Sequence, residues 1–168
     1  MVALTLIPSE ILPRLFLSNY RTARDAEKLG ALGITHVVSA LDYTPVLPAC
    51  IPPEQRLFIR VEDVPNADIL KHLAQTTAFI DDALRADSSN RVLVHCFQGV
   101  SRSATIVCAY LVASTSMPAD YAVKFVQTRR NIVCPNSGFR SQLKQYARRL
   151  GGPNVHRRLI KRRPTESL

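Results

Sequence analysis

Cys96, Gly99 and Arg102 fall within seven consecutive residues, in the run Cys96-Phe97-Gln98-Gly99-Val100-Ser101-Arg102. An apolar stretch, Val92 to Val94, leads into His95 and Cys96; Ala104 to Val112 follows, apolar on nearly every side. The pattern reads as buried strand, tight loop, buried helix. A loop in that place lies at a helix N-terminus, where unpaired N–H groups and the helix dipole favour an anion. A cysteine at its mouth is driven toward the thiolate, the form that acts as nucleophile. An arginine closing the loop adds a planar fork that matches two phosphate oxygens. Gly99 lets the backbone curl close to the anion. The chemistry that suits this set is attack of sulfur on a phosphate monoester, with a phosphocysteine splitting one hard displacement into two easier ones. Backbone N–H groups of Phe97, Gln98, Gly99, Val100, Ser101 and Arg102, with the Arg102 guanidinium, would hold the equatorial oxygens. The competing reading is an inert packed cysteine, since free Cys is among the most buried residue types. The arginine six residues on, the glycine between and the flanking elements argue against it.

Strands and helices alternate around this loop. Arg14 to Leu17 reads as a strand behind Pro13, Tyr20 to Leu32 as one helix with Ala23, Ala26, Leu29 and Leu32 on a face, and Ile34 to Leu41 as a strand. Four prolines make Asp42 to Pro53 a loop. Leu57 to Val61 returns as a strand. Ile69 to Arg85 follows as a helix, with Asn66 or Asp68 as cap. After the central helix, Pro118 stands near N1 of another that ends at Arg129 to Asn131. Cys134 to Phe139 reads as a turn and Gln142 to Leu150 as a last helix. Alternation of this kind implies an α/β domain.

The run His95 to Ser103, HCFQGVSRS, resembles the HCxxGxSRS signature of the dual-specificity phosphatases, within the cysteine-dependent protein tyrosine phosphatase superfamily. The likeness extends to LFLSN…GITHVVSAL near the start, with Ser18 where that family commonly has Gly, and to RRNIVCPNSGFRSQL, where it carries PNxGFxxQL. It spans about residues 11 to 150. It implies a protein-tyrosine-phosphatase-like fold: a mixed central sheet flanked by helices on both sides. It implies a protein phosphatase acting on phosphotyrosine and phosphoserine or phosphothreonine, of the small type without a kinase-docking domain. The stretch VEDVPNADIL resembles the family's acid loop, which puts the general acid at Asp63; Glu62 and Asp68 are the other candidates. His95 is expected to orient the Cys96 environment, Ser103 to donate to the thiolate, and Asn136 to support the site through backbone hydrogen bonds. The scheme calls for no metal and no cofactor. Two other functions are carried forward: a phosphatase on a phosphoinositide, glucan or RNA 5′ end, and a pseudophosphatase that only binds phosphoproteins. The loop holds no Lys, which counts against highly charged lipid headgroups.

At 168 residues the chain suits one domain, read as 1–152 with a basic tail from 153 to 168. Of the net +9, seven bases and one acid lie from Arg148 onward, so the body carries only +3. Such a tail suits an acidic protein or acidic lipid, with nucleic acid not the expected partner, and equally reads as a solvated, flexible terminus. Arg157-Arg158 and Lys161-Arg162-Arg163 also form a candidate nuclear address. Four cysteines with no CxxC pair give neither a disulfide framework nor a zinc spacing. The expectation is an intracellular, reducing compartment, cytoplasmic or nuclear. No signal peptide is read at Met1 to Leu6, and no apolar stretch is long enough to span a bilayer.

Overall fold

The structure is a computed structural model and describes residues 7–151. Its five strands are β1 (Ser9–Leu12), β2 (Leu15–Asn19), β3 (His36–Leu41), β4 (Arg56–Arg60) and β5 (Val92–Cys96). They form one sheet in the order β1-β2-β5-β3-β4, with β1 antiparallel to β2 and every other pairing parallel. The helices are α1 (Tyr20–Ala23), α2 (Ala26–Ala31), α3 (Leu70–Ala86), α4 (Arg102–Thr115), α5 (Ala119–Arg129) and α6 (Ser137–Leu150).

Period-two alternation decides which core each strand residue enters. Leu15 and Leu17, Val38 and Ala40, Val92 and Val94 join a large core closed by α3, α4, α5 and α6. Phe16, Val37 and Leu93 point the other way, into a smaller core with Ala23 of α1 and Leu29 of α2. Helices therefore cover both faces, the mixed α/β architecture expected. The strand carrying the cysteine lies in the middle. Arg102 to Val112 of α4 are all buried, because sheet, α3, α5 and α6 surround that helix. This is why its sequence shows no polar stripe.

Some boundaries differ from the reading above. The helix expected over Tyr20 to Leu32 is two: Asn19 caps α1 by accepting from the Thr22 N–H, and Asp25 caps α2 by accepting from Lys28. A capping carboxylate in mid-pattern breaks the helix, and Ala26 is left exposed. The four-residue β1 was not foreseen. Neither cap considered for α3 holds the cap position, which is Ile69 with no capping side chain; Asp68 stands one residue earlier, its Oδ1 accepting from the Lys71 N–H at 3.2 Å. Pro118 is the cap of α5 and precedes its first turn. The last helix starts at Ser137, inside the expected turn, because Asn136 Oδ1 accepts from the Phe139 N–H at 2.9 Å. Among the described residues no single helix is long and apolar enough to cross a membrane. The domain limit at Gly152, the tail and the first six residues lie outside the described residues.

Candidate active site

Parallel pairing brings the C-terminal ends of β2, β3 and β5 to one edge. Asn19 stands beside Cys96, and Ser18 and Ser39 flank His95. Open α/β sheets place ligands at this edge. A pocket of about 100 Å³ lies there, lined by Cys96, Asp63, Arg102 and the loop residues Phe97, Gln98, Val100 and Ser101.

The loop is held by its carbonyls. Phe97 O accepts from the Tyr20 N–H, Val100 O from the Cys134 N–H, and Ser101 O from the Thr105 N–H. Gln98 O and Gly99 O accept from the Arg130 guanidinium. In a trans peptide unit the N–H points opposite to the C=O, so pinning five successive oxygens outward turns the next five N–H groups inward. The sulfur receives one of them: Gly99 N–H donates to Cys96 Sγ at 3.2 Å. Ser103 Oγ donates to the same sulfur at 3.1 Å. Gly99 has a φ of 71°, and a Cβ there would collide with the Ser18 carbonyl. Only glycine fits both constraints.

Arg102 is 7% exposed. One terminal nitrogen, Nη1, lies 3.3 Å from Asp42 Oδ1 and 3.3 Å from the Val61 carbonyl. Its Nε is buried with no hydrogen-bond partner and stands 3.8 Å from Asp63 Oδ2. A buried donor short of an acceptor, in the wall of a pocket, suits an incoming anion.

The three candidate acids part company. Asp63 lines the pocket and is anchored through one oxygen: Oδ1 accepts from Ser101 Oγ at 2.7 Å and Asn136 Nδ2 at 3.0 Å. That leaves Oδ2 on the Arg102 side. Glu62 lines a different cleft, of about 320 Å³, with Val64, Asn66 and Lys71. Asp68 stands just before α3, where it accepts from the Lys71 N–H. Asn136 supports the site through its side chain to Asp63, and its backbone N–H also donates to Ser101 Oγ at 3.1 Å.

His95 is fully buried, with Nε2 2.7 Å from Ser39 Oγ, Nδ1 3.3 Å from its neighbour's carbonyl, and its ring stacked on Tyr20. A carbonyl only accepts, so Nδ1 carries the proton and Nε2 accepts from Ser39. Burial pushes its pKa down to about 4, so the ring is neutral near pH 7. It braces the strand end under Cys96.

Sequence reasoning did not single out Asp42 or Arg130. Asp42 follows directly on β3, at the edge where such sheets bind ligands, and that position was the available signal. Arg130 sits in an Arg-Arg-Asn run that looks like a solvated helix end, yet it is 3% exposed.

The profile of the dual specificity phosphatase catalytic domain matches residues 15–149. The mouse (Mus musculus) "Dual specificity protein phosphatase 13B" is 42% identical over 148 residues, covering 84% of this chain and 73% of that protein. "MAP kinase phosphatase with leucine-rich repeats protein 3" of Dictyostelium discoideum is 38% identical over 156 residues, 92% of this chain but only 18% of that longer relative. The crystal structure of DUSP15 superposes with a TM-score of 0.83 at 32% identity, covering 94% of this chain and 97% of that one.

Proposed function

The chain belongs to the dual specificity phosphatase catalytic-domain family, and on that premise we propose that it hydrolyses phosphotyrosine and phosphoserine or phosphothreonine in proteins through a phosphocysteine. The observation that carries this reading is the Cys96 sulfur, accepting from Gly99 N–H and Ser103 Oγ at the floor of a pocket walled by Arg102 and Asp63. Sulfur attacks phosphorus in line. Inward N–H groups of the loop and the Arg102 guanidinium hold the three equatorial oxygens as charge moves. The P–O bond breaks, and Asp63 gives the leaving oxygen its proton from Oδ2, the oxygen not engaged by Ser101 and Asn136. Asp63, now ionised, takes a proton from water as that water attacks phosphorus. The P–S bond breaks, Ser103 donates to the departing thiolate, and inorganic phosphate is released.

Phosphate release from paired phosphotyrosine and phosphothreonine peptides by wild type and Cys96→Ser tests the reading. Turnover of both peptides by wild type and none by the variant is expected. Wild type that binds the peptides without releasing phosphate would mean a pseudophosphatase. Turnover confined to phosphoinositide, phosphoglucan or RNA 5′ ends would replace the protein substrate.

The same proposal extends to the surroundings. Four free cysteines suit a reducing, intracellular compartment, cytoplasmic or nuclear. The basic residues beyond Gly152 suit an acidic partner held by salt-sensitive attraction.

A further inference from the structure

Every carbonyl of the phosphate loop from Phe97 to Ser101 has a donor from outside it, and one side chain supplies two of the five. Arg130 ends α5 and turns inward beneath the loop. Nε donates to Gly99 O at 3.0 Å and Nη2 to Gln98 O at 3.4 Å. The remaining nitrogen, Nη1, donates to Ile7 O at 2.7 Å and to Ser9 Oγ at 3.3 Å, at the start of β1. Gly99 is packed between this guanidinium and the Ser18 carbonyl: a Cβ would stand 3.1 Å from Nη2. One planar cation thus ties the edge strand to the back of the loop.

The peptide units it holds are those that matter for an anion. Gln98 C=O is coplanar with and opposed to Gly99 N–H, the group that donates to the Cys96 sulfur. Gly99 C=O is likewise opposed to Val100 N–H, in a residue that lines the pocket. We propose that Arg130 is a positioning residue of the active site, which aims the N–H groups of Gly99 and Val100 at sulfur and oxyanion by holding the two carbonyls behind them. It touches no substrate; it sets the cradle that does. This rests on the phosphatase reading above and deepens it. Burial lowers the pKa of Arg130 from its ordinary value, and the nearby Cys96 sulfur opposes that shift. A guanidinium keeps its proton at neutral pH regardless, so its field reaches the sulfur as well.

Two features set it apart from a plain buried arginine. The fork geometry lets one side chain serve two adjacent carbonyls, which a lysine ammonium on a flexible stem does not reproduce. Both acceptors belong to consecutive peptide units of the loop, so the loss of the fork frees the turn to flip them.

The test uses the full chain as wild type, Arg130→Met, Arg130→Lys and, as a control, Arg129→Met, whose guanidinium lies at the surface over Phe125. Read out are kcat and KM separately for an aryl phosphate, affinity for orthovanadate, and the thermal unfolding midpoint. Loss of a preorganised oxyanion donor costs about 10²–10³ in kcat. Arg130→Met and Arg130→Lys should therefore both lose at least about 50-fold in kcat and about tenfold in orthovanadate affinity, at a temperature where each remains folded. Arg129→Met should stay within about twofold of wild type. Arg130→Lys at wild-type kcat and orthovanadate affinity overturns the proposal, because charge alone would then suffice. If Arg130→Met does not fold, the lysine variant decides. If wild type hydrolyses no phosphate ester, the phosphatase reading fails by itself, while the orthovanadate comparison still judges what Arg130 does to the loop.

Discussion

At the scale of single residues, the decisive contrast is between two neighbours, Glu62 and Asp63. They are adjacent in sequence and face different clefts. Asp63→Ala should leave substrate binding intact, because loop and Arg102 make the phosphate contacts, and should slow the step that needs a proton. The expected loss is about 10²–10⁴-fold for a phosphotyrosine peptide and small for an aryl phosphate whose leaving group departs unprotonated. Glu62→Ala should change neither. Rates against leaving-group pKa decide; a slope change in the Glu62 variant instead would move the acid one residue back. The loop residues were legible in the sequence because they are contiguous: His95 to Ser103 carries its own strand, turn and helix start. Asp42 and Arg130 were not, since each reaches the site only after β3 and α5 have docked on the sheet. A carboxylate among prolines or an arginine after another arginine has no local mark of burial.

At the scale of elements, α6 is the part that holds the acid segment. Three of its motif residues touch that segment in succession. Asn136 donates to Asp63, Gly138 packs against the Pro65 carbonyl, and Gln142 serves the start of α3. Gln142 Oε1 accepts the N–H groups of Ile69 and Leu70, each at 2.9 Å, while its Nε2 donates to Ala67 O at 2.8 Å. It satisfies helix-end donors that would otherwise be orphaned. Gly138 is required for steric reasons, as any Cβ there would overlap Pro65. Gly138→Ala should therefore displace the 63–67 segment. It should reproduce part of the Asp63→Ala defect, roughly tenfold or more on a phosphotyrosine peptide, with little change on an activated aryl phosphate. Equal losses on both substrates would show damage to the loop instead. The PNSGFRSQL pattern was visible as a resemblance, but what each position touches was not, because the contacts lie some seventy positions away. Element types were read well where apolar periodicity was long, as in α3, or where an apolar run was long and unbroken, as in α4. They were missed where caps rule, at Asp25 and Asn136, and where a strand has only four residues at an edge, as in β1.

At the scale of the whole molecule, the buried imidazole sets how stability depends on pH. His95 is neutral in the folded chain with a pKa pushed down to about 4, against 6.5 when free. Between those values the unfolded chain binds the extra proton, so stability is complete above about pH 6.5 and falls as pH drops toward 4. The loss from this one group is about 3 kcal/mol. His36 and His72, both lowered by burial, act in the same direction. Denaturant midpoints taken from pH 7 to pH 4 should decline, and His95→Asn should flatten the decline; an unchanged slope would mean that another group governs it. The placement of β5 has a temporal consequence as well. Leu15 and His36 lie on either side of the same Val92, so β2 and β3 have no contact across the sheet until β5 enters between them. Without it the sheet would fall into two separate strand pairs, β1–β2 and β3–β4, each marginal alone. Pairings across such sequence separation are slow. Pairing of β5, the last strand in chain order, is thus what closes the sheet, and it also brings Cys96 to its cradle. Cooperative folding and chemical competence therefore depend on one strand: what loosens β5 from β2 or β3 also loosens the seat of Cys96.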